Sequence, residues 1–166
     1  QVSLIQKFVL LLGHPTYALT VIVFSMLLAS GLGSYWSKRF INGEHGRWMA
    51  TLVGAAVVIA ILALVSRAVA ATAVSWPLPA KFLLTGLMIA PAAFLMGMPF
   101  PTGLARLEEM HSPSVRWAWA LNAASSVLGS ASAIFLAIYV GLQNTMLAAA
   151  ACYLLALLAA RTARRA

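Results

Sequence analysis

Residues 48–67 read WMATLVGAAVVIAILALVSR, and no charged side chain interrupts this run between Trp48 and Arg67. An α-helix rises about 1.5 Å per residue, so about 20 residues match the thickness of the hydrocarbon core of a bilayer. A helix that is apolar on all sides lies either in the core of a large protein or in a membrane. The run is predicted to cross a membrane as an α-helix.

The composition of the whole chain favours the membrane over a protein core. Of 166 residues, 63% are hydrophobic and 8% are charged, and the mean hydropathy is +0.94. A soluble domain carries about 25% charged residues, because its surface faces water. Lipid offers no hydrogen-bond partners to backbone N–H and C=O groups, so a chain crosses a membrane only as α-helices or as a closed β-barrel. The long unbroken apolar runs lack the alternation of apolar and polar residues that marks a β-barrel strand. The fold class is therefore predicted to be all-α, a polytopic membrane helix bundle.

Working outward from 48–67, the apolar runs predict five full transmembrane helices and one partial helix in a single domain, residues 1–166. Pairs of glycine and proline interrupt the runs near Gly13 and Pro99, as expected of turns. Gly31 and Gly33 are predicted to end one span and to lead into a basic loop, residues 35–47. The predicted spans are 1–12 (partial), 17–34, 48–67, 82–98, 116–140 and 145–160.

The opening run is too short to span a membrane, and the sequence begins with Gln1. It lacks the basic start and the small-residue cleavage site of a signal peptide. We interpret it as the second half of a helix, and we expect the chain to be a fragment of a longer polypeptide.

The basic residues predict the orientation of the bundle. Cytoplasmic loops carry an excess of Lys and Arg, and eight of the eleven basic residues fall in the loops 35–47 and 99–116 and in the C-terminal tail. These loops and the C-terminus are therefore expected in the cytoplasm. The charges form no wettable basic face, so the net charge of +8 does not indicate a nucleic-acid partner. The expected partners are the lipid bilayer and other membrane helices, of the same longer chain or of a membrane complex.

One face of the span 116–140 consists of small and weakly polar side chains. Such a face lets helix backbones approach closely, and its Ser and Asn side chains form hydrogen bonds between helices. The first interpretation is tight helix packing, and the second is the polar lining of a solute path or binding site. The candidate residues are Asn122, Ser126, Ser130, Ser125 and Gly129.

Two further features are candidates for function. Pro91 lies inside a predicted span, where it removes a backbone hydrogen bond and is expected to kink the helix; broken helices often frame transporter sites. Gln6, Lys7 and His14 are expected to cluster at the outer end of the partial helix, although snorkelling of the lysine explains its position equally well.

The sequence contains no recognisable catalytic or metal-binding pattern. The three acidic residues fall in predicted cytoplasmic loops, so no predicted span holds the buried carboxylate that a cation path in a membrane usually requires. The three histidines do not pair on facing helices, and no cofactor or metal is predicted. Whether the chain is an enzyme stays undecided, but the sequence favours a non-catalytic role.

Two sets of short strings resemble the C-terminal membrane part of multi-span spermidine-synthase-like proteins, bacterial chains described as fused transporter-like/spermidine synthases. The first set is LIQKF (residues 4–8), LGHPTYAL (12–19) and SGLGS (30–34). The second set is FLMGMPFP (94–101), GL (103–104), WAWALN (117–122) and SVLGS (126–130). Together they extend over nearly the whole chain, with one departure, Ala120, where a glycine is expected.

The resemblance implies a bacterial inner-membrane location and a cytoplasmic Rossmann-like domain, related to aminopropyltransferases, joined to the membrane helices. The motifs of that domain do not occur in this chain, so no catalytic residue is transferred. The expected function is a membrane module that acts as anchor or scaffold, with solute binding or transport as a further role. The alternative is a non-catalytic structural subunit of a larger membrane complex.

Overall fold

The structure, a computed structural model, describes residues 2–41 and 45–162, and these residues form seven α-helices and no strand. Five apolar segments are long enough to cross a membrane, and α1 is a shorter apolar helix. Together α4 and α5 make up one of the five segments, interrupted at Gly97 and Met98. The predicted all-α membrane architecture is confirmed. The helices are α1 (Val2–Leu12), α2 (Pro15–Ile41), α3 (His45–Thr72), α4 (Leu78–Met96), α5 (Pro99–His111), α6 (Ser114–Tyr139) and α7 (Leu142–Thr162).

Two glycines in the left-handed region make the tightest turns between helices. Gly13 has a φ of 78° and Gly141 a φ of 90°, values that a residue with a Cβ adopts only at a cost. Pro15 then begins α2, where its missing N–H would have no partner in the helix anyway. Both turns lie where the sequence predicts them.

The prediction that Gly31 and Gly33 end the second helix is wrong, because α2 continues through both to Ile41. A glycine inside a helix costs about 1 kcal/mol relative to alanine, and a close contact with α4 offsets this cost at Gly33. A Cβ at Gly33 would lie 2.9 Å from the carbonyl carbon of Phe94 and would overlap its oxygen. The helix therefore uses this glycine for packing.

The contact between α2 and α4 is reciprocal. A Cβ at Gly97 would lie 2.8 Å from the carbonyl carbon of Ser30 and would overlap its oxygen. Further along, the rings of Tyr17 and Phe82 lie 5.6 Å apart, centroid to centroid, so the two helices run parallel. Small residues at the contact are what close approach of membrane helices requires.

The core lies between α1, α2, α3, α4 and α7, where Phe8, Ile22 and Ile89 are almost fully buried. The sixth helix, α6, packs mainly against α1, α5 and α7. Every residue from 119 to 132 of α6 is exposed. Its outward side chains, such as Leu121 and Leu128, are large and apolar, as expected of a surface in contact with lipid.

Candidate functional site

The bundle has two ends, which are named here by what they contain. The Gly141 end holds the turns at Gly13 and Gly141, where α1 and α3 finish and α7 starts. The α5 end holds α5, together with the start of α3 and the end of α4.

A cavity of about 420 Å³ opens at the Gly141 end between α1, α3 and α7. We call it the basic cavity, because its polar lining includes the side chains of Lys7 and Arg67, next to those of Gln6 and Gln143. No acidic side chain lines it among the described residues. Leu10, Leu11, Ala70, Ala71, Val74 and Leu142 form its apolar wall.

The ammonium group of Lys7 is held by a backbone carbonyl and not by a carboxylate. Its Nζ donates to the carbonyl oxygen of Ala63 at 3.0 Å, and Ser66 Oγ donates to the same oxygen at 3.5 Å. Arg67 lines the same cavity, so a second cation shares it with Lys7. The basic cavity thus concentrates positive charge at one end of the bundle.

A second, central cavity of about 210 Å³ lies deeper along the same helices. Ser3 of α1, Thr145 of α7 and Gly129 of α6 line it, together with apolar residues of α2, α3 and α4. The Thr145 hydroxyl donates to the carbonyl oxygen of Gly141 at 2.9 Å. The lining is therefore apolar with two hydroxyl groups.

A third cavity of about 370 Å³, the α5 cavity, lies at the opposite end. Trp48, Tyr153 and Ala118 line it with residues of α5, and Met96 lines both this cavity and the central one. Trp48 Nε1 donates to the carbonyl oxygen of Pro99 at 3.0 Å, a bond that joins α3 to the start of α5.

The three cavities follow one another from end to end of the bundle. Along α7 they are lined by residues 142–143, then by residues between 145 and 149, then by residue 153. Along α3 the lining residues run in the opposite direction, from 67–71 through 59–62 to 48. Because the two helices are antiparallel, the cavities form one row, and α6 lines the central cavity and the α5 cavity.

The predicted small-residue face of α6 borders this row. Gly129 lines the central cavity. Four other residues of this face are exposed and line none of the three cavities: Asn122, Ser125, Ser126 and Ser130. Helical spacing places Asn122 between Ala118, which lines the α5 cavity, and Gly129. Ser130 Oγ donates to the Ser126 carbonyl of its own helix at 2.8 Å. Within residues 2–41 and 45–162, no atom of another helix lies within 4 Å of a Cβ built at Gly129, so there is a gap in front of this face at Gly129.

The structure places some of the other predicted candidates in a cavity and others outside the cavities. Gln6 and Lys7 lie together in the basic cavity, but His14 does not line it; its Nδ1 accepts from the backbone N–H of Thr16 at 3.2 Å. Pro91 is exposed, lines none of the three cavities, and the helix continues through it. The kink predicted at Pro91 stays a prediction, and the break predicted near Pro99 lies at Gly97 and Met98.

Arg67 and Gln143 belong to the basic cavity, yet the sequence reasoning placed neither in a site. In the sequence, Arg67 is one of the three basic residues outside the predicted cytoplasmic segments, as Lys7 is, and this shared side is the signal that could have paired them. Gln143 lies between the predicted spans 116–140 and 145–160, where nothing distinguishes it from a turn residue. In the described segments, no three His, Cys, Asp or Glu side chains are grouped closely enough to hold a metal ion.

Comparison with known protein families, with curated proteins and with solved structures finds no match for this chain.

Proposed function

We propose that this chain is a membrane-embedded module that acts as an anchor and scaffold and that binds a small solute in its row of cavities. The row is the observation that carries the proposal, because its three cavities follow one another from one end of the bundle to the other. The proposed relationship is to the membrane part of multi-span spermidine-synthase-like proteins, which rests on the sequence strings alone.

The charges along the row support an anionic or a neutral, hydrogen-bonding solute. Two cations lie at the Gly141 end, and the central cavity offers hydroxyl groups. Among the described residues no carboxylate lines any of the three cavities. A buried cation without a counter-charge is costly in a membrane, so a polyamine is a poor candidate.

The proposed orientation puts the α5 end and the C-terminus in the cytoplasm of a bacterial inner membrane. The excess of basic residues at that end supports this orientation through the positive-inside rule. The basic cavity then opens on the outer side, where an external solute first meets the protein.

The alternative function is a non-catalytic subunit that docks another membrane protein. The exposure of residues 119–132 of α6 favours it, because Ser and Asn side chains form hydrogen bonds between packed membrane helices. A partner helix carrying small and polar residues would complement the face at Asn122 and Ser126.

Cysteine labelling distinguishes the two functions. Cys152 is first replaced by serine, since its thiol is exposed. Ser126→Cys then reports on the side of α6 that faces the row, and Leu128→Cys reports on the opposite, lipid-facing side, because 67% of Leu128 is exposed.

A charged, membrane-impermeant thiol reagent is expected to modify Ser126→Cys and to leave Leu128→Cys unmodified. Equal resistance of both cysteines would mean that the row is dry, and the solute-binding proposal would fail. Protection of Ser126→Cys that disappears when the protein is purified away from other membrane proteins would instead support the subunit function.

A further inference from the structure

We propose that the basic cavity is a binding site for an anionic group, a phosphate or a carboxylate carried on an apolar body, held between Lys7 and Arg67. The inference rests on the proposed function for its membrane setting and adds the class of ligand at one end of the row. It starts from the side chains that line the cavity at the Gly141 end.

The arrangement of charge lacks a counter-ion within the described protein. Lys7 and Arg67 are both cations that line the same cavity, and the one hydrogen bond given to Lys7 goes to a neutral backbone carbonyl. Two like charges that share a cavity repel each other, and an opposite charge compensates them. An anion between them would convert this repulsion into two favourable ion pairs.

Hydrogen-bond donors surround the same position. Gln6 and Gln143, whose side chains carry amides, line the cavity. Leu142 and Gln143 also form the first turn of α7, where backbone N–H groups have no partner inside the helix and the helix dipole is positive. These groups add to the two cations as ligands for the oxygens of an anion.

The position of Lys7 argues against simple snorkelling. A snorkelling lysine extends its ammonium toward the nearest membrane surface. The ammonium of Lys7 instead reaches the carbonyl of Ala63, which lies one turn further from the Gly141 end of α3 than Arg67 does. The side chain therefore reaches across to the backbone of α3.

The walls of the cavity select for an amphiphilic ligand. A volume of about 420 Å³ exceeds what an inorganic phosphate fills, and Leu10, Ala70 and Val74 contribute apolar surface around the charged floor. Arg67 lies five residues before Thr72, the last residue of α3, or about 7–8 Å below the helix end. This depth suits the headgroup of a lipid and also the carboxylate of a fatty acid entering from water.

The test measures binding to the purified full chain in a neutral detergent. The probes are phosphatidylglycerol, zwitterionic phosphatidylcholine as its neutral counterpart, octanoate and inorganic phosphate. Bound lipid is counted by native mass spectrometry, and stabilisation is followed by the shift in melting temperature. The variants are Lys7→Gln and Arg67→Gln; Lys81→Gln is the matched control, a cation near the same end that does not line the cavity.

At least one anionic probe is expected to bind, with an affinity that falls at least tenfold in Lys7→Gln or Arg67→Gln and stays unchanged in Lys81→Gln. Preference for phosphatidylglycerol identifies a lipid headgroup and preference for octanoate identifies a soluble amphiphile, whereas preference for inorganic phosphate over both would refute the apolar body. Without any anion, Arg67→Gln is expected to melt at or above the temperature of the unmodified protein, because the repulsion is relieved.

Binding of no anionic probe, or an equal loss in Lys81→Gln, would overturn the inference. Because Arg67 is exposed, its variant is expected to fold even if Lys7→Gln does not. A failure here would leave the labelling of Ser126→Cys unaffected, so the inference and the proposed function are tested separately.

Discussion

The close contact of α2 with α4 makes a quantitative prediction for alanine substitutions at two neighbouring glycines. Both lie in α2, but a Cβ at Gly33 would overlap the Phe94 carbonyl, whereas nothing lies within 4 Å of a Cβ at Gly31. Alanine is favoured over glycine in a helix by about 0.5–1 kcal/mol, and this gain is common to both variants. The difference between them therefore measures the packing contact alone.

Overfilling a well-packed contact costs about 1–3 kcal/mol. Gly31→Ala is expected to raise the free energy of unfolding slightly. The free energy of unfolding of Gly33→Ala is expected to be about 1–3 kcal/mol lower than that of Gly31→Ala. The overlapping atoms of Phe94 belong to the backbone, so no side-chain rotation relieves the overlap, and α2 and α4 must move apart. Unfolding is measured by titration with a denaturing detergent in mixed micelles, followed by tryptophan fluorescence.

The double variant Gly33→Ala/Gly97→Ala tests whether Gly33 and Gly97 belong to one contact between α2 and α4. Gly97→Ala is expected to destabilise the protein as Gly33→Ala does, since its Cβ would overlap the Ser30 carbonyl. Once the helices have separated for one alanine, the second costs less, so the two losses are expected to add incompletely. Equal stability of Gly33→Ala and Gly31→Ala would refute the reasoning at its first step.

Three further outcomes follow from other parts of the structure. The buried Thr85 hydroxyl has no hydrogen-bond partner among the described residues, so Thr85→Val is expected to stabilise the protein by about 1 kcal/mol. Thr145→Val, which loses a bond of 2.9 Å, is expected to destabilise it by a similar amount, and the same detergent titration measures both. Trp48→Phe removes the bond to the α5 backbone and is expected to cost about 1 kcal/mol and to speed tryptic cleavage within α5. Pro91→Ala is expected to leave the labelling of Ser126→Cys unchanged, since Pro91 lines no part of the row; altered labelling would give Pro91 a role in shaping it.

The membrane spans could be predicted because each depends on a local property of the chain. An apolar run such as residues 48–67 and a turn such as that at Gly141 carry their information within a few residues. Whether α2 ends at Gly33 or continues depends instead on the residue that packs against Gly33. That residue, Phe94, is about sixty residues away in sequence. Helix-ending and helix-packing glycines look alike until the neighbouring helix is known.

The candidate site was predictable in its parts but not in its assembly. Lys7 was recognised as an unusual residue of an apolar helix, but its proximity to Arg67 depends on how α1 packs against α3. The small face around Asn122 follows from helical spacing alone. The arrangement of five other helices decides whether this face borders cavities. It also leaves no other described helix packed on Gly129.

The gap beside α6 is easier to maintain in a membrane than in water. No hydrophobic driving force draws two apolar helices together in lipid, and association depends on packing and on hydrogen bonds. Asn122 lies eight residues inside α6, about 12 Å from its start, and the described residues give its amide no hydrogen-bond partner. An amide without a partner costs several kcal/mol in hydrocarbon. Water, a solute or a partner side chain would relieve this cost, and Asn122 lies on the face of α6 between Ala118 and Gly129, which line the α5 and central cavities.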